Sequence, residues 1–119
     1  IIHIWATWCG ACNHEMPSFT KFANKHKGKY NILAISVDTA ETAEEASKIV
    51  EKYNKEKGYK GVNIAYDHTA LFTHSVKPDG VPTTLFLNAE GIEIGRVNGA
   101  LSWNDKTTEH LLKSVFAKE

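Results

Sequence analysis

The chain has 119 residues, 42% of them hydrophobic, enough for one globular domain that buries roughly two-thirds of its unfolded surface, with little left for a second. Fourteen basic and fourteen acidic side chains cancel, and no long block of either charge occurs, so neither nucleic acid nor an anionic membrane surface is indicated as a partner. No apolar run reaches the roughly 18 residues of a transmembrane helix, and the apolar start lacks the basic flank of a signal peptide. The first residue is Ile1, and a processed or truncated segment of a longer protein is expected.

Ile1 to Trp8 reads as a short buried strand, regular over Ile1 to Trp5, with His3 the odd residue in an apolar run. A helix follows from about Gly10 to Lys27, with Cys12, Met16, Phe19, Phe22 or Ala23, and His26 on its inward stripe and Gly28 ending it. Pro17 removes a backbone donor and predicts a kink about one turn beyond Cys12. Tyr30 to Val37 is a second strand, closed by a turn at Asp38-Thr39. Thr42 and Glu45 have the capping-box spacing for a helix whose apolar stripe is Ala43, Ala46, Ile49, Val50 and Tyr53, stopped by Gly58.

Val62 to Tyr66 reads as a short strand, Thr69 to Val76 as a short helix carrying Leu71 and Phe72, and Lys77 to Gly80 as a turn. Thr83 to Leu87 and Ile92 to Val97 form an antiparallel hairpin across Ala89-Glu90-Gly91, and Val97 falls into phase only with a bulge at Gly95. Ser102 with Asp105 can cap a last helix with the stripe Thr107, Leu111, Leu112, Val115 and Phe116. Strands joined through helices lie parallel and the hairpin adds antiparallel pairing. The expected architecture is therefore α/β, a mixed central sheet with helices on both faces.

Cys9 and Cys12 are the two cysteines of the chain. They are too close in sequence to staple a fold, so chemistry is the natural reason for the pair. Cys9 falls at a strand-to-helix junction, where unpaired N–H groups and the helix dipole favour a thiolate. Two other readings exist: inert buried thiols, or half of a zinc site completed by His68 and His74, whose spacing is permissible for ligands. The junction favours the redox reading. Glu15, at i+3 from Cys12, is placed to exchange a proton with it, though an unplaced glutamate is by default a solvated helix residue. His3 is either a satisfied core histidine or a proton shuttle beneath the pair.

Trp8-Cys9-Gly10-Ala11-Cys12 after an apolar strand, with Val81-Pro82-Thr83 opening a late strand before a hairpin and terminal helix, resembles the thioredoxin fold. The longer strings WATWCGACNHEMPSF and GVPTTLFLNAEGIEIGRVNG, with Ala40 to Tyr66 as an inserted helix and strand, look more like the TlpA/ResA branch. The resemblance covers essentially the whole chain and implies one thioredoxin-like domain over residues 1–119, lacking the N-terminal strands of the full domain. It also implies a cis peptide bond before Pro82, with Cys9 as nucleophile, Cys12 as resolving cysteine, and Glu15 as the acidic residue that influences their ionisation. The substrate would lie against Trp8, Gly10, Ala11, Val81 and Pro82. His3 stands where thioredoxins carry Asp and TlpA-like proteins often Asn, and Gly10-Ala11 replaces their usual proline-containing pairs.

The expected activity is thiol–disulfide oxidoreduction, in the direction of protein disulfide reduction. No metal or organic cofactor is required. The partners would be a disulfide-containing protein and an upstream thiol–disulfide electron donor. The chain would act as a monomer, without membrane contact from this segment, in the bacterial cell envelope and tethered there in the full-length protein. Alternatives on the same fold are a disulfide oxidase or isomerase, and a peptide-binding module with permanently oxidised cysteines. A peroxidase would want an arginine close to the cysteine, and Arg96, the single arginine, lies in the hairpin.

Overall fold

Residues 1–117 are described by the computed structural model. In chain order they form β1 (Ile2–Trp5), α1 (Gly10–Lys25), β2 (Leu33–Ser36), α2 (Ala43–Lys57), β3 (Ile64–Tyr66), α3 (Leu71–Val76), β4 (Thr83–Leu87), β5 (Glu93–Asn98) and α4 (Lys106–Phe116). The strands make one sheet in the order β3-β2-β1-β4-β5. β1 pairs parallel with β2, and β2 with β3, because a helix carries the chain back between them. β4 runs antiparallel to both β1 and β5. The carboxyl ends of the three parallel strands and the start of β4 therefore share one edge of the sheet.

β1 is central, which explains its lack of alternation: Ile4 and Trp5 on opposite faces are both fully buried. One face carries His3, Trp5, Ala34, Thr84 and Phe86. The His3 ring stacks on Phe19 of α1 with centroids 4.1 Å apart, Trp5 meets Tyr53 of α2 at 5.5 Å, and Phe86 meets Phe116 of α4 at 5.9 Å. On the opposite face Arg96, the β5 partner of Leu85, reaches the carboxyl end of α3, donating to the carbonyls of Val76 at 3.0 Å and Lys77 at 3.3 Å. Both faces are thus covered.

Several expected boundaries and stripes are corrected by tertiary packing. α1 stays helical through Pro17 and ends at Lys25, with His26 closing it by an amide bond to the Phe22 carbonyl, so Gly28 lies in a following turn rather than at the cap. The α2 stripe is fully buried at Ala46 and Val50 and half-buried at Tyr53, whereas Ala43 is exposed and Ile49 is 41% exposed because α2 meets the body of the protein along one edge. Thr42 caps α2 as expected, accepting from the Glu45 amide at 3.1 Å, and Gly58 ends it in the left-handed conformation at φ 75°. α4 is capped by Asp105 itself, which accepts from the Thr107 amide at 2.9 Å. Thr108 rather than Thr107 faces inward and donates to the Ser102 carbonyl. In the hairpin Leu87 faces Glu93 and Phe86 faces Gly95, so Ile94 is the extra residue and the bulge adjoins Gly95, where the phase of Val97 required one.

Candidate active site

Cys9 is the N-cap residue of α1, with an extended backbone at φ −88° and ψ 116°. Strand β1 ends at Trp5, and Ala6 to Trp8 turn the chain so that the Cys9 amide bonds the Ala6 carbonyl at 3.2 Å. The cap position aims its sulfur at the open N–H groups of the first helical turn, and Cys9 Sγ accepts from the Cys12 amide at 3.1 Å. An N-cap serine would accept the same bond; a sulfur there gains stabilisation of its anion. Cys9 and Cys12 are joined as a disulfide. Cys12 is fully buried, while Cys9 keeps a small exposed edge at 7%, so of the two sulfurs Cys9 is the one an incoming group reaches.

The Val81–Pro82 peptide bond is cis, as the resemblance implied. Pro82 immediately precedes β4, whose pairing with β1 brings the bond to the cysteine edge, and the Val81 carbonyl oxygen lies 3.6 Å from Cys9 Sγ. Gly10 and Ala11, in the first turn of α1, are exposed. Trp8 is 67% exposed. It projects into solvent next to Cys9, on the side expected to meet the substrate. Arg96 forms no part of this cluster, being engaged by Glu93 and the end of α3.

Glu15 and His3 are brought together beneath the cysteines. Glu15 is 2% exposed, on the same α1 face as Cys12 and Phe19. Its Oε1 lies 2.8 Å from His3 Nε2, and its Oε2 accepts from the Trp103 indole at 2.8 Å and from the Leu101 amide at 2.9 Å. Both oxygens of the carboxyl group are therefore engaged, Oε2 by two N–H donors and Oε1 by the imidazole. His3 Nδ1, the other ring nitrogen, is buried and without a protein partner. Thr84, paired with His3 across the β1–β4 ladder, also has a buried hydroxyl without a partner. Neither His3 nor Glu15 hydrogen-bonds a cysteine.

Sequence reasoning missed Asp38, Asn13 and Trp103 around this site. Asp38, expected only to end a strand, is 3% exposed and accepts from the Thr7 amide at 3.1 Å and from the hydroxyls of Thr7 and Ser36. Asn13 donates through Nδ2 to the carbonyls of Thr7 at 3.1 Å and Cys9 at 2.8 Å, and accepts from the Tyr53 hydroxyl. Trp103 gave no local signal, since the partner that explains its indole lies in α1. For Asp38 a signal existed: an aspartate directly after an apolar strand that ends at the cysteine edge is well placed to bind the loop there.

The family profile of Redoxin matches residues 1–112. The chain belongs to the Redoxin family. This Redoxin chain is 27% identical over 103 residues to the thiol-disulfide oxidoreductase ResA of Oceanobacillus iheyensis, a match covering 86% of the chain and 50% of that protein. It is 26% identical over 117 residues to the thiol:disulfide interchange protein DsbE of Xylella fastidiosa, covering 98% of the chain and 54% of DsbE. The chain spans about half the length of the curated relatives it matches. In structure it is similar to the pneumococcal exposed lipoprotein thioredoxin Etrx1 of Streptococcus pneumoniae, with a TM-score of 0.75 at 18% identity over 96% of this chain and 80% of that one. That likeness establishes the thioredoxin-like fold. α2 and β3 occupy the span from Ala40 to Tyr66 where a helix and a strand were expected.

Proposed function

We propose that this Redoxin chain is a thiol–disulfide oxidoreductase that reduces protein disulfides. The observation that carries the reading is the placement of Cys9: an N-cap sulfur held by the Cys12 amide, accessible at one edge, and beside the cis Val81–Pro82 bond. The Cys9 thiolate attacks one sulfur of a client disulfide, forming a mixed disulfide and releasing the first client thiolate. Cys12 then loses its proton and attacks the Cys9 sulfur, releasing the second client thiolate and leaving the Cys9–Cys12 disulfide. The client gains two electrons and the enzyme loses two. Trp8, Gly10, Ala11 and the Val81 backbone form the surface against which an extended client segment rests.

Cys12 is fully buried, so its proton needs an acceptor inside the protein. The proposed acceptor is the buried Glu15–His3 pair, Glu15 standing one helical turn beyond Cys12 and His3 Nε2 lying 2.8 Å from Glu15 Oε1. An upstream thiol–disulfide donor returns the pair to the dithiol. The setting proposed is extracytoplasmic, in keeping with the exposed lipoprotein Etrx1. Among the described residues no helix is long and apolar enough to cross a membrane.

The deciding measurement is the reduction potential of the pair in defined thiol buffers. A value near or below about −220 mV is expected for a reductant, whereas about −120 to −180 mV would reverse the direction to disulfide donation. Cys12→Ser should accumulate mixed disulfides on Cys9, and Cys9→Ser should abolish turnover. A pair that never cycles would sink the enzyme reading in favour of a peptide-binding module.

A further inference from the structure

Helix α2 reaches the redox turn through Asn13 of α1, which bonds the backbone of Cys9. Tyr53 of α2 donates its hydroxyl to Asn13 Oδ1. This fixes which way the Asn13 amide faces, so that Nδ2 points at the Thr7 and Cys9 carbonyls and bonds both, at 3.1 and 2.8 Å. The Asn13 amide N–H meets the same Cys9 carbonyl at 3.0 Å. On the far side of the turn Asp38 holds Thr7 by its amide and hydroxyl, and Ser36 of β2 holds Asp38. Thr7 to Cys9 is thereby gripped from α2 on one side and from β2 on the other.

We propose that Asn13 and Tyr53 are positioning residues for the nucleophile: they hold the Thr7–Cys9 turn so that Cys9 stays in the N-cap position with its sulfur on the Cys12 amide. The proposal rests on Cys9 being the attacking thiolate. In the reduced enzyme the cap bond stabilises the anion and not the neutral thiol to the same degree, so a turn free to leave the cap loses thiolate selectively. Helix α2 thus sets the ionisation of the cysteine without supplying any group that touches it.

Three features of the contact fit this role. Burial, with the neighbouring Tyr59 and Asp38 charges, pushes the Tyr53 hydroxyl up to about 12, so it remains a donor throughout the working range. An asparagine is required because it accepts from Tyr53 while donating to two carbonyls, which neither aspartate nor leucine can do. The asparagine is also the residue directly after Cys12, within the first turns of α1, so any rotation of its amide is felt at the cap.

The test compares Tyr53→Phe, Asn13→Ala and the double variant in the reduced protein. Its readout is the rate of Cys9 alkylation by iodoacetamide against pH. Each single variant should raise the apparent thiol pKa, and so slow alkylation below it by about threefold or more, in line with the loss of one buried hydrogen bond. In the double variant the Tyr53→Phe effect should disappear, because Tyr53 acts through Asn13. Tyr59→Phe, a neighbouring ring 6.2 Å from Tyr53, should leave the profile unchanged. An unaltered profile in both single variants overturns the proposal even if they melt at lower temperature, and so does a Tyr53→Phe effect that survives in the Asn13→Ala background. Failure of the enzyme reading itself is separate: the unmutated protein would then fail to turn over a protein disulfide while its Cys9 still alkylates.

Discussion

Glu15 Oε1 and His3 Nε2 are 2.8 Å apart with both side chains entirely out of contact with water. Removing one partner of a buried pair leaves the other polar and unpaired, so Glu15→Ala is expected to destabilise the fold by about 3–5 kcal/mol in urea denaturation. Glu15→Gln keeps one oxygen for Trp103 and Leu101 and should lose less. Trp103→Phe deletes one donor to a charged acceptor, at about 1.5–3 kcal/mol. If the Gln and Ala variants were equally stable, Glu15 would be filling space and not anchoring three partners.

His3→Asn should slow the second half of the redox cycle without slowing the first. The asparagine can still meet Glu15 but cannot take up a proton, so resolution of a preformed mixed disulfide should slow. Stopped-flow fluorescence from Trp8, adjacent to Cys9, would separate the two phases. Equal slowing of both phases would remove His3 from the proton path.

Asp67 should make part of the acid sensitivity. Burial pushes its carboxyl up, but bonds from the Thr73 hydroxyl and amide and the Phe72 amide, with help from His68, outweigh burial and hold it below its ordinary 3.8. A depressed folded value means that the contribution is complete above about pH 4 and is lost as pH falls through the folded value. At pH 7 Asp67→Asn should be less stable than the unmutated protein, and the difference should shrink below pH 4. A constant difference across that window would contradict the assignment.

Arg96 pairs with Glu93 at 2.6 Å, but both side chains are about a third exposed, at 28% and 34%. Such a pair is worth well under 1 kcal/mol, so Glu93→Gln should scarcely move the melting temperature. Arg96→Ala also frees the Val76 and Lys77 carbonyls at the end of α3, and should cost about 1 kcal/mol or more. Equal effects from the two variants would show that the carbonyl contacts contribute nothing.

Trp8→Ala should leave stability within about 0.5 kcal/mol, since the ring is 67% exposed. The same variant should raise KM for a protein disulfide while sparing reaction with a small disulfide. An unchanged ratio would remove Trp8 from the client surface.

Features that depend on neighbours along the chain were legible in the residues alone. A buried run followed by Cys9 at a helix start is one. The order of strands and helices, the Thr42 cap, Gly58 and the bulge beside Gly95 are others, because each follows from local hydrogen-bonding geometry or side-chain period. The motif pair around Cys9 and Pro82 carried the fold and the cis bond by resemblance. Glu15 could be placed near Cys12 from the helical repeat, but its anchoring donors, Leu101 and Trp103, lie 86 and 88 residues away, and nothing local to α1 announces them. Asp38, Asn13 and Tyr53 read as a turn, a polar helix residue and a stripe aromatic until β2, α1 and α2 converge at one edge of the sheet. Packing also decided burial, which periodicity overstated at Ile49, 41% exposed, because a helix buries only the width that its neighbours cover. Polar side chains take their roles from partners brought close by the chain's return, and only the tertiary structure decides which partners those are.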